Sequence, residues 1–112
     1  MSILNTPFEI KNIKLNNRLV MPPMATSKSG IDGKAGQELF DYYDEKSKNG
    51  YIGLIIAEHE YVSLEGKASF GQLSISDDSD IEPLKKLVSV IHKNGSKIIA
   101  QINHAGGKTI GK

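Results

Sequence analysis

The chain has no cysteine and no tryptophan among its 112 residues. Without cysteine, disulfides and thiolate metal sites are excluded, and the redox compartment is left open. It also lacks an excess of charge. Fourteen basic and thirteen acidic side chains leave a formal net charge of +1, and the lysines are scattered as on an ordinary solvated surface. Nothing in that balance calls for nucleic acid or an anionic membrane as partner. No apolar run approaches the roughly 18 residues of a membrane span. Met1-Ser2-Ile3-Leu4 has neither the charged nor the apolar region of a signal peptide. The expectation is a soluble cytoplasmic chain. No low-complexity tract or composition break divides residues 1–112, which read as one unit.

What is present is a repeated change of hydrophobic period. Phe8 and Ile10 alternate with polar residues, as do Ile13 and Leu15, so a hairpin turning at Lys11-Asn12 is expected. Leu19-Val20-Met21 is a brief apolar strand stopped by Pro22-Pro23, because neither proline can donate to a sheet ladder. From Gly36 to Asn49, Leu39, Phe40 and Tyr43 share a helical face, and Gly50 supplies the stop. Tyr51 to Ala57 is nearly continuous in apolar and small residues, the pattern of a parallel strand covered on both faces. Ser79 and Glu82 have capping-box spacing, and Ile81, Leu84, Leu87, Val88 and Ile91 recur at helical intervals until Gly95. Lys97 to Ile102 is a third, buried-looking strand. With no antiparallel return after the hairpin, the order β, α, β, α, β gives a parallel α/β fold in which Met21 lies beside the second strand and the second and third strands are neighbours.

In a parallel sheet the C-terminal tips of the strands share one edge, so residues distant in sequence can line one pocket. Those tips are Pro22 to Ala25, Glu58 to Glu60 and Gln101 to His104. In order and spacing, from Asn17-Arg18 through Gln101-x-x-His104-Ala105-Gly106, nearly the whole chain resembles the N-terminal part of the old yellow enzyme family of FMN-dependent oxidoreductases. The resemblance implies the first three βα units of a (β/α)8 TIM barrel, preceded by a β-hairpin that covers its N-terminal end. A complete barrel needs roughly 250 residues, so residues 1–112 would form an incomplete one. It also implies FMN across the C-terminal mouth, with NAD(P)H as electron donor and an activated alkene or similar acceptor as substrate. Carried over by position, Pro22, Pro23, Met24 and Ala25 approach the flavin edge, residue 59, here His59, meets it through backbone, and Gln101 bonds the pyrimidine end. A carboxamide can both donate and accept, as that ring edge requires. The family's substrate-binding side chains, its basic residue near the flavin and its phosphate loops belong to later strands, so no catalytic residue is named, and the segment alone is expected to be inactive.

Three positions depart from the family pattern. Ala25 stands where threonine or cysteine is common, His59 where glycine or alanine is common, and Gly107 where the motif usually continues with arginine. The His59 ring must turn away, or the flavin must shift. Gln101 could instead satisfy polar groups at a strand end, and His104 could cap the strand or line the pocket. A metal reading of Glu58-His59-Glu60 with His104 fails on alternation, because adjacent strand residues point to opposite faces. Phe40, Tyr42 and Tyr43 read as helix packing. Gly107-Lys108-Thr109 imitates the end of a phosphate-binding loop, but the required first glycine falls on Ile102. Two other classes compete with the flavoenzyme: a non-catalytic α/β interaction or structural fragment, and an unrelated doubly wound ligand-binding domain. An open sheet edge and an uncovered inner face lead to the expectation that the isolated chain is marginal, a homo-oligomer or aggregation-prone.

Overall fold

A computed structural model of the chain describes residues 2–110. Strands β1 (Phe8–Ile10) and β2 (Ile13–Leu15) pair antiparallel with Ile10 opposite Ile13, so Lys11 and Asn12 alone make the turn. Lys11 takes a left-handed φ of 51° to close it. Four further strands form a second sheet: β3 (Val20–Met21), β4 (Leu54–Tyr61), β5 (Leu73–Ser74) and β6 (Lys97–Asn103). Every pairing in it is parallel. β4 is the hub, with β6 along one side and β3 along the other, Met21 opposite Ile55; β5 pairs with the end of β4 at Glu60 and Tyr61. Helices α1 (Gln37–Lys46) and α2 (Ile81–Lys93) pack against this sheet and each other.

The core is the layer between sheet and helices. Met21, Ala35, Leu39, Tyr43, Ile55, Leu73, Leu87 and Ile91 are all buried there. Each large aliphatic side chain contributes about 1.5–3 kcal/mol through removal from water. The helical spacing of Leu84, Leu87 and Ile91 places them on the face that meets the sheet, and Gly95, at φ 95°, ends α2 where a side chain would be strained.

The second strand begins and ends later than its apolar run suggests. The Asn17 carboxamide donates to the carbonyls of Gly50 and Tyr51, at 3.0 and 3.3 Å, and accepts from the Leu19 N–H at 3.0 Å. Gly53 lies so close to Asn17 that a Cβ would collide with its backbone oxygen. Residues 50–53 are thereby held as a turn, and Tyr51 is exposed rather than in a strand. At the other end β5 supplies a partner for Glu60 and Tyr61, which carries the strand past Ala57. A two-residue strand such as Leu73-Ser74 has no readable period.

Two further expectations are corrected. The reciprocal cap before α2 is Asp77 with Asp80 rather than Ser79 with Glu82. Buried Asp80 accepts from the Ser74 hydroxyl (2.6 Å), the N–H groups of Ser76 and Asp77 (3.1 Å each) and the Lys34 ammonium (2.7 Å). A carboxylate gathers that many donors better than a hydroxyl can. The strand Lys97 to Asn103 is also not buried, with five of its seven residues exposed. Among the described residues its only strand neighbour is β4, and only Ile98 packs against the core layer.

Candidate functional site

The parallel order brings three strand ends to one edge, and a cleft of about 200 Å³ opens there between Pro23, Met24, Ala25, His59, Gln101 and Asn103. Five of the six residues expected at a cofactor site are thus together. Pro22 lies outside the lining, one residue below the edge. Asn103 was missed by the sequence reading, although it follows Gln101 by two residues and so shares its strand face. A larger hollow of about 590 Å³ lies on the outer surface, where Phe40 of α1 meets Lys85, Lys86 and Lys93 of α2. It is a groove of solvated side chains remote from the strand tips.

His59 reaches the cleft because β4 is irregular. Between Ile56 and His59 it advances three residues while β6 advances two, from Ile99 to Gln101, so one extra residue bulges out of the ladder. The amide of Glu58 leaves the ladder and donates instead to the Tyr43 hydroxyl at 3.1 Å. That hydroxyl in turn donates to the Glu58 carboxylate at 3.1 Å, and Thr26 adds a second donor at 2.9 Å. Tyr43 was expected only to pack α1, and its hydroxyl does more. It satisfies the amide that the bulge frees. The bulge also breaks the simple alternation expected along β4: His59 becomes the register partner of Gln101, and Glu58 turns toward the helix layer.

The two carboxyls flanking His59 are almost wholly buried. Burial raises the Glu58 carboxyl above its ordinary range, and the hydrogen bonds from Thr26 and Tyr43 pull it part of the way back. At Glu60 burial first, and then the nearby Glu58 charge, push the pKa up to about 7, and the Gln101 backbone pulls it only part of the way back. Burial likewise raises the Tyr43 phenol, so it remains a donor at neutral pH.

Several polar groups of the cleft lack internal partners. The Gln101 side chain is exposed at the edge and makes no hydrogen bond among the described residues, and the N–H groups of Met24 and Ala25 donate to none. His59 is among the residues lining the cleft, and its Nε2 is out of solvent without a partner among the described residues. His104 has a different task. Its Nδ1 accepts from the Gly106 N–H at 3.0 Å, and its ring lies against the backbone of Gly66, so it caps the end of β6 outside the cleft lining.

A cleft of this kind, built from three strand tips of a parallel sheet and rimmed by one carboxamide and free backbone donors, suits a planar ligand with a polar edge. Residues 3–110 match the family model described as the NADH:flavin oxidoreductase / NADH oxidase family. The chain belongs to that family. It is 42% identical over 101 residues to an NADH oxidase of Thermoanaerobacter brockii, an alignment covering 89% of this chain and 15% of that protein. It is 45% identical over 94 residues to the NADH:acrylate oxidoreductase of Vibrio harveyi, covering 84% and 9% respectively. Among solved structures it superposes on the old yellow enzyme of a Pichia species with a TM-score of 0.83 and 30% identity, covering 91% of this chain and 26% of that one. The chain therefore spans a small part of each of these proteins. In this member of the NADH:flavin oxidoreductase family the cleft is lined by a small residue, Ala25, and a large one, His59.

Proposed function

We propose that this chain is the N-terminal part of an FMN-dependent oxidoreductase, forming the hairpin and first three βα units of a (β/α)8 barrel. In that reading its cleft holds the polar edge of the flavin. The carrying observation is the convergence of Pro23, Met24, Ala25, His59 and Gln101, from three separated strands, on one cleft whose polar groups lack internal partners. The isoalloxazine edge offers carbonyl acceptors and an N–H donor. Gln101 is able to meet both kinds with one carboxamide, while the Met24 and Ala25 amides supply further donors. Pro22 and Pro23 end β3 and release the backbone amides beyond them from sheet pairing. Buried Glu58, tied to Tyr43 and Thr26, fixes the bulge that presents His59.

When bound, FMN supplies hydride transfer between a nicotinamide and an acceptor. The relatives' names favour NADH as donor and, through acrylate, an activated alkene as acceptor. This chain's residues contribute orientation and hydrogen bonding at the ring. Barrel phosphate sites are typically built from loops after strands seven and eight, so the anionic end of FMN would be held elsewhere in the longer protein. Each missing charge-assisted hydrogen bond is worth about 1.5–3 kcal/mol. The 112-residue segment alone is therefore expected to bind FMN weakly or not at all and to reduce no alkene, and its open sheet edge favours association. Titrating FMN against the full-length protein and against the isolated segment, read by quenching of flavin fluorescence, tests this. Tight binding by the full-length protein alone is expected. Absence of binding by the full-length protein would overturn the reading, and a micromolar dissociation constant for the segment would show that the remaining loops are dispensable.

A further inference from the structure

Glu60 is 2% exposed, and its Oε1 has no hydrogen-bond partner among the described residues. Glu58, two residues earlier and 1% exposed, has both oxygens bonded, to Thr26 and Tyr43. Between them His59 faces the cleft as the partner of Gln101. The two carboxyls therefore lie behind the cleft on the helix side of β4, Glu58 with both oxygens bonded and Glu60 with Oε1 unpartnered.

The surroundings of Glu60 provide no counter-charge. At its own level β5 presents Leu73 and β6 presents Ile102. From α1, the titratable group that reaches this end of β4 is Tyr43, and it is committed to Glu58. None of the ion pairs among the described residues involves Glu60. The charged group acting on it is Glu58, of like sign, and the Gln101 backbone on β6 offsets only part of the rise that burial and Glu58 produce. A buried carboxylate with an unpaired oxygen is strongly disfavoured, whereas the neutral acid is far less costly in the same place. Ionisation would set a second negative charge beside Glu58, at the end of the strand that carries His59.

We propose that Glu60 is a proton-linked positioning residue: as a neutral acid it holds the end of β4 with His59 against Gln101, and its ionisation loosens that end and weakens binding in the cleft. The binding half of this inference rests on the FMN reading above; the proton-holding half does not. Two measurements separate them. A carbon-13 NMR titration of the Glu60 side-chain carboxyl in the wild-type full-length protein should show its transition near neutrality, in line with the raised pKa of about 7. A transition in the ordinary carboxylate range would overturn the proposal, with no variant and no flavin required. Second, FMN affinity is compared at pH 6 and pH 8.5 in wild type and in Glu60→Gln, a neutral side chain of the same size. Ionisation of the FMN phosphate affects both proteins alike, so the ratio of their affinities isolates Glu60. That ratio should change about tenfold across the interval, wild type losing the affinity, if the two states of Glu60 differ by one pKa unit of coupling. Parallel profiles would overturn the positioning role. If wild type binds no FMN at either pH, the functional reading fails and the carboxyl titration alone judges Glu60. If Glu60→Gln does not fold, Glu60→Met supplies the neutral comparison.

Discussion

β4 and β6 carry almost the same words. Leu54-Ile55-Ile56-Ala57-Glu58 lies in register beside Lys97-Ile98-Ile99-Ala100-Gln101 as far as the pair Ile56 and Ile99, yet the two strands live in different environments. Ile55 and Ala57 are 0% and 1% exposed, whereas Ile99 is 46% exposed and Ala100 is exposed as well. β4 has strands on both sides and helices over one face, while β6 has β4 alone among the described residues. A run of branched aliphatics encodes a capacity for burial, and the neighbours decide whether it is used. The strands also part at their ends. The bulge in β4 puts His59, not Glu58, opposite Gln101, so the carboxyl is withdrawn and the carboxamide is presented.

The largest expected effect tests the burial half of this contrast. Ile55→Ala should destabilise the chain by about 2–5 kcal/mol, and Ile99→Ala by less than about 1 kcal/mol in the isolated segment. In the full-length protein the cost of Ile99→Ala should rise toward that of Ile55→Ala if, as the proposed barrel requires, β6 has a second strand neighbour there. Urea denaturation of the four proteins measures this, and an Ile99→Ala cost that is small in both settings would break the account of β6.

Glu60 gives the next effect. Its folded pKa, near 7, lies above the ordinary value of 4.5, so the folded state holds a proton that the unfolded chain releases. The resulting stability is fully present below about pH 4.5 and is lost as pH rises to about 7, a span worth up to about 3 kcal/mol. Denaturation midpoints measured from pH 4.5 to 8 should fall in wild type and fall less in Glu60→Gln.

Tyr43→Phe follows. It removes the acceptor of the Glu58 amide and one donor to the Glu58 carboxyl, and should cost about 1–3 kcal/mol by leaving a buried N–H unpaired. Since that amide is the one freed by the bulge, hydrogen exchange of the Glu58 N–H should accelerate more than that of Ile55. Equal acceleration would mean that the hydroxyl does not hold the irregularity in place.

The parallel order of the strands, the two helices and most of the cleft were legible in the residues. Pro22-Pro23 must stop a strand, the spacing from Leu84 to Ile91 must be a helix, and Gln101 must lie near the end of a strand whose tip shares an edge with the other strand tips. The bulge was not legible. Nothing in Ala57-Glu58-His59 marks an extra residue, because the hydroxyl that stabilises it comes from Tyr43, fifteen positions away, and its phenol looks like ordinary helix packing. The burial of Glu60 and the exposure of β6 were hidden for a related reason. Both depend on which strand lies alongside, and the short β5 at Leu73-Ser74 has no pattern of its own.

In the proposed flavin reading, the Gln101 carboxamide near the end of β6 meets the ring while the Glu58 carboxyl of β4 stays behind the cleft. FMN titration of the full-length protein and of its Gln101→Ala and Glu58→Gln variants separates the two side chains. Loss of one or two hydrogen bonds to the ring should weaken FMN binding about tenfold or more in Gln101→Ala. Glu58→Gln, which changes a group outside the cleft lining, should shift it much less. Unchanged FMN affinity in Gln101→Ala, or a larger loss in Glu58→Gln, would contradict the account.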